Sequence, residues 1–232
     1  MFIRNLHIDV KPEHVARYRG LILQHALYAK RVDPSIRHFD VLQNAADANC
    51  LHTIEVYQDR AAWERHSADP YAAEFAKATT ELCKPLSKQD GLSEARNLEP
   101  SDADWIVPAR WDADPACGLF VHNAWIYLKP EFAQAYSEII VGEVRRAKAL
   151  ERGILGFHVF QSLHDPALLH TYEVYTARSA WEHHYQQPYL QELKSKTTHM
   201  HDAERRALRR PIACTNLEPT DAYWRAVMGS GA

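Results

Sequence analysis

The chain is written twice, and that limits its fold more than any other property. Residues Leu51 to Tyr71, LHTIEVYQDRAAWERHSADPY, recur as LHTYEVYTARSAWEHHYQQPY from Leu169 to Tyr189, each matched position lying 118 residues on. The offset already holds at the start, where Phe2 matches Phe120, Asn5 matches Asn123 and Lys11-Pro12-Glu13 matches Lys129-Pro130-Glu131. It continues through Phe39 and Phe157, and through Gln43 and Gln161. After a one-residue insertion, Asn97-Leu98-Glu99-Pro100 returns as Asn216-Leu217-Glu218-Pro219, and Trp105 as Trp224. A fixed long period defines the folding unit, so the 232 residues divide into two small domains of one kind. The boundaries read 1–105, then a linker at 106–118 rich in turn formers (Pro108, Asp114-Pro115, Gly118), then 119–232.

Within each unit the apolar period switches between two and 3.6. Phe2 to Val10 alternates, with Arg4, Leu6, Ile8 and Val10 on one face and Ile3, Asn5, His7 and Asp9 on the other, which predicts a strand. Pro12 suits the first turn of a helix, and Val15, Tyr18, Ile22, Ala26 and Ala29 follow at helical spacing. Asp33-Pro34-Ser35 ends that helix, because a residue before proline avoids helical geometry; in the copy Gly153 is read as the breaker. Ile36 to Gln43 and Leu51 to Tyr57 read as strands joined by a turn at Asn44 to Asn49. Asp59 can cap a short helix carrying Ala62, Trp63 and His66. Another helix runs from Pro70 through Phe75 and Leu82, and a last strand leads into Asn97-Leu98. This is the β-α-β-β-α-β order of a ferredoxin-like unit, with one short extra helix. The expected class is α+β, two tandem ferredoxin-like domains whose sheets each need cover on the face that carries no helix. Packing logic predicts that the sheets cover each other as an intramolecular pseudo-dimeric α/β barrel.

Composition removes several function classes. A net charge of -3 gives no electrostatic reason for nucleic acid or an anionic membrane as partner, and no run approaches a membrane span. The opening MFIRNLHIDVKPEH is too polar for a signal peptide, so a cytoplasmic location is expected. Cys50, Cys83, Cys117 and Cys214 fall at no metal or redox spacing and do not match between repeats, so they read as reduced thiols. No glycine-rich phosphate loop or serine-nucleophile signature is present. His183-His184 and His199-x-His201 lack a full partner set in the first repeat, so no metal is expected.

The stretch FDVLQ…LHTIEVYQDRAAWERHSADPYAAEF resembles the antibiotic biosynthesis monooxygenase family of dimeric α/β-barrel proteins. Glu151-Arg152-Gly153, Phe39 to Gln43, Glu55-Val56-Tyr57, Glu173-Val174-Tyr175, His66 and His184 fall on that family's pattern, and the likeness covers nearly all of both halves. The resemblance implies one of several activities. Members similar to quinol monooxygenases and anthrone oxygenases oxidise electron-rich aromatics with dioxygen and without metal or flavin. Others resemble isomerases of a small sugar-derived phosphate. A third branch degrades haem and places an Asn on the first strand, as Asn5 and Asn123 stand here. Its haem-ligating His would fall at Ala76 and Lys194, which argues against haem. The pocket-lining Asn and Trp of the anthrone oxygenases correspond to Thr53 or Thr171 and Tyr57 or Tyr175. Where many members carry a second His, this chain has Tyr71 and Tyr189.

A cofactor-free oxygenase needs an apolar, water-poor cavity and a base that removes a substrate proton, so that the substrate anion itself reduces dioxygen. Histidine suits the base, since its pKa already lies near neutrality. His66 and His184 are the candidates, each three residues after a tryptophan on the short helix; the alternative is that each merely pins that helix to backbone. Thr53, Thr171, Tyr57, Tyr175, Tyr71 and Tyr189 offer hydroxyls for substrate oxygens, and Asn5 and Asn123 are candidates for substrate contact on the first strand. Trp63 and Trp181 either line the pocket or simply pack their helices onto the core. His52 and His170 read as structural partners, and Glu55 and Glu173 as structural ion pairs or substrate contacts, since a buried carboxylate needs a partner.

The halves are not equivalent: His7 stands where Trp125 does, His25 where Glu143 does, and Asp40 where His158 does. One site is expected to keep catalysis while the other drifts, and the second half, richer in aromatics, is where a flat substrate is expected. The reading is a cofactor-independent monooxygenase taking a quinol-like or polyketide-like aromatic and dioxygen. Its alternatives are an isomerase of a small phosphorylated carbonyl compound and a non-catalytic ligand-binding module. Two fused chains pairing again as a homodimer is the remaining partner expectation.

Overall fold

The computed structural model describes residues 1–85, 92–98, 119–206 and 212–216. Two compact units are built for the most part on Met1–Ala95 and on Arg96–Cys214; the expected linker at 106–118 lies outside the described residues. The first unit runs β1 (Phe2–Asp9), α1 (Val15–Val32), β2 (Ile36–Asn44), β3 (Cys50–Tyr57), α2 (Arg60–Ala68), α3 (Pro70–Thr79) and β4 (Leu92–Asn97). The second runs β5 (Phe120–Tyr127), α4 (Ala133–Leu150), β6 (Ile154–Ser162), β7 (Leu168–Tyr175), α5 (Arg178–Tyr185), α6 (Pro188–Thr197), a one-turn α7 (Ala203–Arg206) and β8 (Ile212–Asn216). In the first unit the antiparallel order is β4-β1-β3-β2. In the second, β8 flanks β5 and the order continues β5-β7-β6. That is the ferredoxin-like order in both, so the chain is α+β and tandem, as its repeat predicts. No described helix is long and apolar enough to cross a membrane.

Each sheet uses its two faces differently. Helix α1 buries Tyr18, Ile22, Ala26 and Ala29 with Phe39, Val41, Leu51 and Tyr57 of the sheet. The copy repeats this with Tyr136, Ile140, Val144 and Ala147 of α4 and Phe157, Val159, Leu169 and Tyr175. The larger aliphatic and aromatic side chains among these stabilise the fold by about 1.5–3 kcal/mol each when fully buried, so these two clusters set the helix-to-sheet spacing. Alternation then points Thr53 and Glu55 towards the helices and His52, Ile54 and Val56 away from them. All eight residues of β3 are buried, which confirms that its second face is covered as well. A one-residue bulge between Ile36 and His38, repeated between Ile154 and Gly156, leaves Arg37 and Leu155 unpaired and brings Phe39 and Phe157 onto the helix side.

The short helices start differently in the two halves. The Asp59 carboxylate accepts the Ala62 N–H at 2.8 Å and caps α2, whereas the matched Ala177 offers α5 no side-chain cap. Gly153 has a further role besides following the helix, which ends at Leu150. A Cβ on Gly153 would sit 2.6 Å from the Cβ of Ala180, inside van der Waals contact, so glycine is what allows α5 to approach β6. Gly153→Ala is expected to destabilise the protein by about 1–3 kcal/mol through overpacking. Gly142→Ala meets nothing within 4 Å and, sitting mid-helix, is expected to be neutral or stabilising by up to about 1 kcal/mol. Chemical denaturation of the two variants side by side checks both.

Candidate active site

Between the helices and the helix-facing side of each sheet lies a cavity, about 200 Å³ in the first unit and about 330 Å³ in the second. Their walls are mainly apolar, and each carries a Thr, a Glu, a Trp and a His at matched positions: Thr53, Glu55, Trp63 and His66, and Thr171, Glu173, Trp181 and His184. Alternation along β3 and β7 supplies the first two, and spacing of three on α2 and α5 supplies the last two.

The other residues singled out from sequence stand elsewhere. Tyr57 and Tyr175 are buried behind the cavities and donate their hydroxyls to Glu55 at 3.0 Å and Glu173 at 2.8 Å. Tyr189 donates to Glu151. Tyr71 stacks on Tyr28 at 4.0 Å and lines a separate recess with Tyr28, Asp33 and His66. Asn5 and Asn123 are buried on the opposite face of β1 and β5, away from both cavities. His52 and His170 are fully buried on that same face, His170 edge-on to Trp125 at 5.6 Å. Cys50, buried, and Cys83, half-buried, are both outside any disulfide.

Both buried carboxylates are satisfied three times. Glu55 accepts from Arg4 at 3.1 Å, from Thr53 at 3.1 Å and from Tyr57. Glu173 accepts from Thr171 at 2.8 Å and from Tyr175, and forms an ion pair with His122 Nδ1 at 3.2 Å. Burial works against the ionised Glu173, but His122, His184 and the Thr171 hydroxyl outweigh it and bring its pKa down to about 2. For His122 the same burial works against the cation, and the charge and hydrogen bond of Glu173 outweigh it, so its pKa is raised. Arg4 and His122 occupy matched positions, so a permanent cation in one half is replaced by a titratable one in the other.

The halves differ most around the candidate base. His184 is buried, and its Nδ1 lies 2.8 Å from Glu151, which also accepts from Tyr189. Its ring stands edge-on to Phe157 at 5.6 Å. With Nδ1 tied to Glu151, Nε2 remains as the nitrogen available to the cavity that His184 lines. A carboxylate that fixes the tautomer and orientation of an imidazole is the arrangement a general base requires. Glu143, also buried, stands close enough for its charge to act on the same group; burial first, against the pull of Arg146 and His184, raises its carboxyl pKa.

The first half cannot make this contact. Asp33 matches Glu151 but is one methylene shorter, and Ser35 stands where Gly153 does. The Ser35 N–H and hydroxyl take the Asp33 carboxylate at 2.8 and 2.5 Å. His66 instead contacts rings, His25 at 5.1 Å and Tyr57 at 5.8 Å, and burial lowers its pKa. His25, where the copy has Glu143, stacks on Phe75 at 4.4 Å and on Tyr71 at 5.6 Å. Burial and then the neighbouring His66 bring its pKa down to about 4, so it is a neutral ring filling space. That ring helps explain why the first cavity is the smaller. The sequence reading attached no role to Glu151, His122 or Glu143. The signal for Glu151 lay in the repeat itself, in the paired change of Asp33 to Glu and Ser35 to Gly.

The fold and the paired cavities define a protein of two ferredoxin-like domains in tandem. The profile of the family described as antibiotic biosynthesis monooxygenase matches residues 1–78 and 119–196. The chain belongs to this family. Among solved structures it is similar to a putative monooxygenase from Lactobacillus acidophilus NCFM, with 14% identity, 93% of each chain covered and a TM-score of 0.74. It is also similar to a putative monooxygenase from Fusobacterium nucleatum subsp. nucleatum, with 15% identity, 94% of this chain and 92% of that one covered and a TM-score of 0.75. A third is an anthrone oxidase-like protein, with 14% identity, 94% and 91% coverage and a TM-score of 0.62. These similarities show a shared fold over both halves. No curated protein matches the sequence.

Proposed function

We propose that the protein is a monooxygenase that needs no cofactor, that it oxidises a quinol-like or polyketide-like aromatic with dioxygen, and that the second half carries the reaction. The observation that carries this is the Glu151–His184 pair at the wall of the larger apolar cavity. Family membership and an anthrone oxidase-like neighbour of the same fold support the reaction class.

In this mechanism a flat substrate enters between Phe157, Trp181 and the aliphatic wall, where exclusion of water strengthens every polar contact. His184 Nε2 accepts a proton from the substrate, and the imidazolium that forms is stabilised by Glu151. The substrate anion transfers an electron to dioxygen, the resulting pair combines to a peroxide, and loss of water leaves one oxygen atom on the product. For a methylene carbon the sum is CH2 plus O2 giving C=O plus H2O. Thr171 and Tyr185 line the cavity as candidate partners for the substrate oxygen.

The test is dioxygen uptake by metal-stripped, flavin-free protein offered reduced quinones and anthrones, with small phosphorylated carbonyl compounds assayed for isomerisation alongside. Saturable uptake that disappears in His184→Ala is the expected result. Isomerisation without uptake would replace this reading with the isomerase one. The cationic lining that an isomerase would use on phosphate amounts to Lys194 in the second cavity and to Arg4, already paired with Glu55, in the first.

A further inference from the structure

We infer that the first unit holds a second site, for a divalent late transition metal of the zinc type, formed by His7, Cys50 and His52. The three offer one ligand atom each, all within 4.8 Å of one another. The register explains how they meet. His7 on β1 lies directly opposite His52 on β3, and Asp9 lies directly opposite Cys50. Residues two apart on a strand share a face, so all four side chains project from one patch of the β1–β3 ladder. It is the face away from the helices, opposite the one on which Leu6, Ile8, Thr53 and Glu55 line the cavity. The site is therefore independent of the proposed oxygenase chemistry.

The distances suit coordination. Cys50 Sγ lies 3.3 Å from His52 Nε2 and 3.7 Å from each ring nitrogen of His7. A tetrahedral zinc with Zn–S of about 2.3 Å and Zn–N of about 2.0 Å holds its sulfur and nitrogen about 3.5 Å apart. The ring centroids of His7 and His52 are 4.8 Å apart, a separation that suits two imidazoles on one ion. His7 Nε2 is also 3.1 Å from Asp9 Oδ1. A carboxylate on Nε2 leaves Nδ1 as the nitrogen that ligates the metal and strengthens it as a ligand. Cys50 and His52 are buried, while the side chains of His7 and Asp9 keep 23% and 49% exposure, which provides a way in for the ion. One thiolate and two imidazoles form a soft-to-borderline set that selects zinc-type ions over magnesium or calcium. Binding releases the Cys50 thiol proton to solvent and leaves the fourth position to water.

The repeat supplies an internal control. The positions matching His7, Cys50 and His52 are Trp125, Leu168 and His170, so the second half keeps one ligand of the three. One ion per chain is the expected stoichiometry. Spacing rules do not find the site, because two of its ligands are on β3 and the third is 43 residues earlier on β1.

The test is titration of the metal-stripped full-length chain with Co(II), then displacement by Zn(II). The expected result is one equivalent of tetrahedral cobalt with a thiolate charge-transfer band, displaced by zinc. The band is lost in Cys50→Ser, at least tenfold weaker in affinity in His7→Gln, and unchanged in His170→Gln. X-ray absorption of the zinc-loaded wild-type chain needs no variant to fold; it is expected to show one sulfur and two imidazole neighbours. A zinc shell without sulfur, a cobalt band that persists in Cys50→Ser, or no stoichiometric binding would each overturn the inference.

Discussion

His184→Ala is expected to lower catalytic turnover by at least about 100-fold, the usual contribution of a positioned general base, whereas His66→Ala leaves it nearly unchanged. The asymmetry follows from the partners of the two imidazoles. His184 is held by Glu151 at 2.8 Å, while the matched Asp33 is captured by Ser35. Glu151→Gln, which keeps the shape but removes the charge that stabilises the imidazolium, is expected to lower kcat more than it raises KM. Steady-state oxygen uptake on the best substrate of the panel measures all three variants. Equal loss on changing His66 or His184 alone would rule out a single working half. The double change Asp33→Glu with Ser35→Gly, which rewrites the first half in the terms of the second, is the reciprocal experiment. Gain of turnover in a His184→Ala background would show that those two positions divide the halves.

His122→Ala is expected to destabilise the protein by about 3–5 kcal/mol, because it leaves the buried Glu173 charge without its cation. The size of the effect should depend on pH on both sides. Glu173 has its pKa lowered from 4.5 to about 2 on folding. Its contribution is therefore present above 4.5 and is lost as pH falls towards 2. His122 has its pKa raised from 6.5, so its contribution is complete below 6.5 and is lost as pH rises through the raised value. The gap between wild type and variant should be widest between about pH 4.5 and 6.5 and narrow outside that window. Urea unfolding at a series of pH values reads this directly. A gap that does not change with pH would mean that His122 contributes by packing against Trp181, 5.7 Å away, and not by charge.

Much of the fold was legible because the repeat doubled every signal. Pro12 and Pro130 open matched helical turns, and the apolar stripe Tyr18, Ile22, Ala26 and Ala29 reappears as Tyr136, Ile140, Val144 and Ala147, all buried. The Asp59 cap and the strand alternation that turns Thr53 and Glu55 towards the helices could be read from local rules alone. The bulges at Arg37 and Leu155 could not, because nothing in the side chains there marks an extra residue; the bulge is settled by the pairing of β2 with β3 and of β6 with β7. The candidate site divides in the same way. Residues of the short helix and third strand could be named in advance, since period and spacing place them. The tyrosines and asparagines were placed by tertiary packing: two hydroxyls hold carboxylates from behind, and Asn5 and Asn123 point to the other face.

By itself the sequence determined the tandem architecture, the element order and which residues of a strand or helix share a face. These depend on local periods and on a repeat, and both are one-dimensional properties. Only the tertiary structure decided which buried charges meet. Whether Glu151 reaches His184 depends on one methylene, on the absence of a serine hydroxyl at Gly153, and on a helix brought close because Gly153 has no Cβ. Whether His7, Cys50 and His52 converge depends on strand register. Hydrogen bonds and metal coordination act over about 2–3 Å, a precision that residue spacing along a chain does not carry.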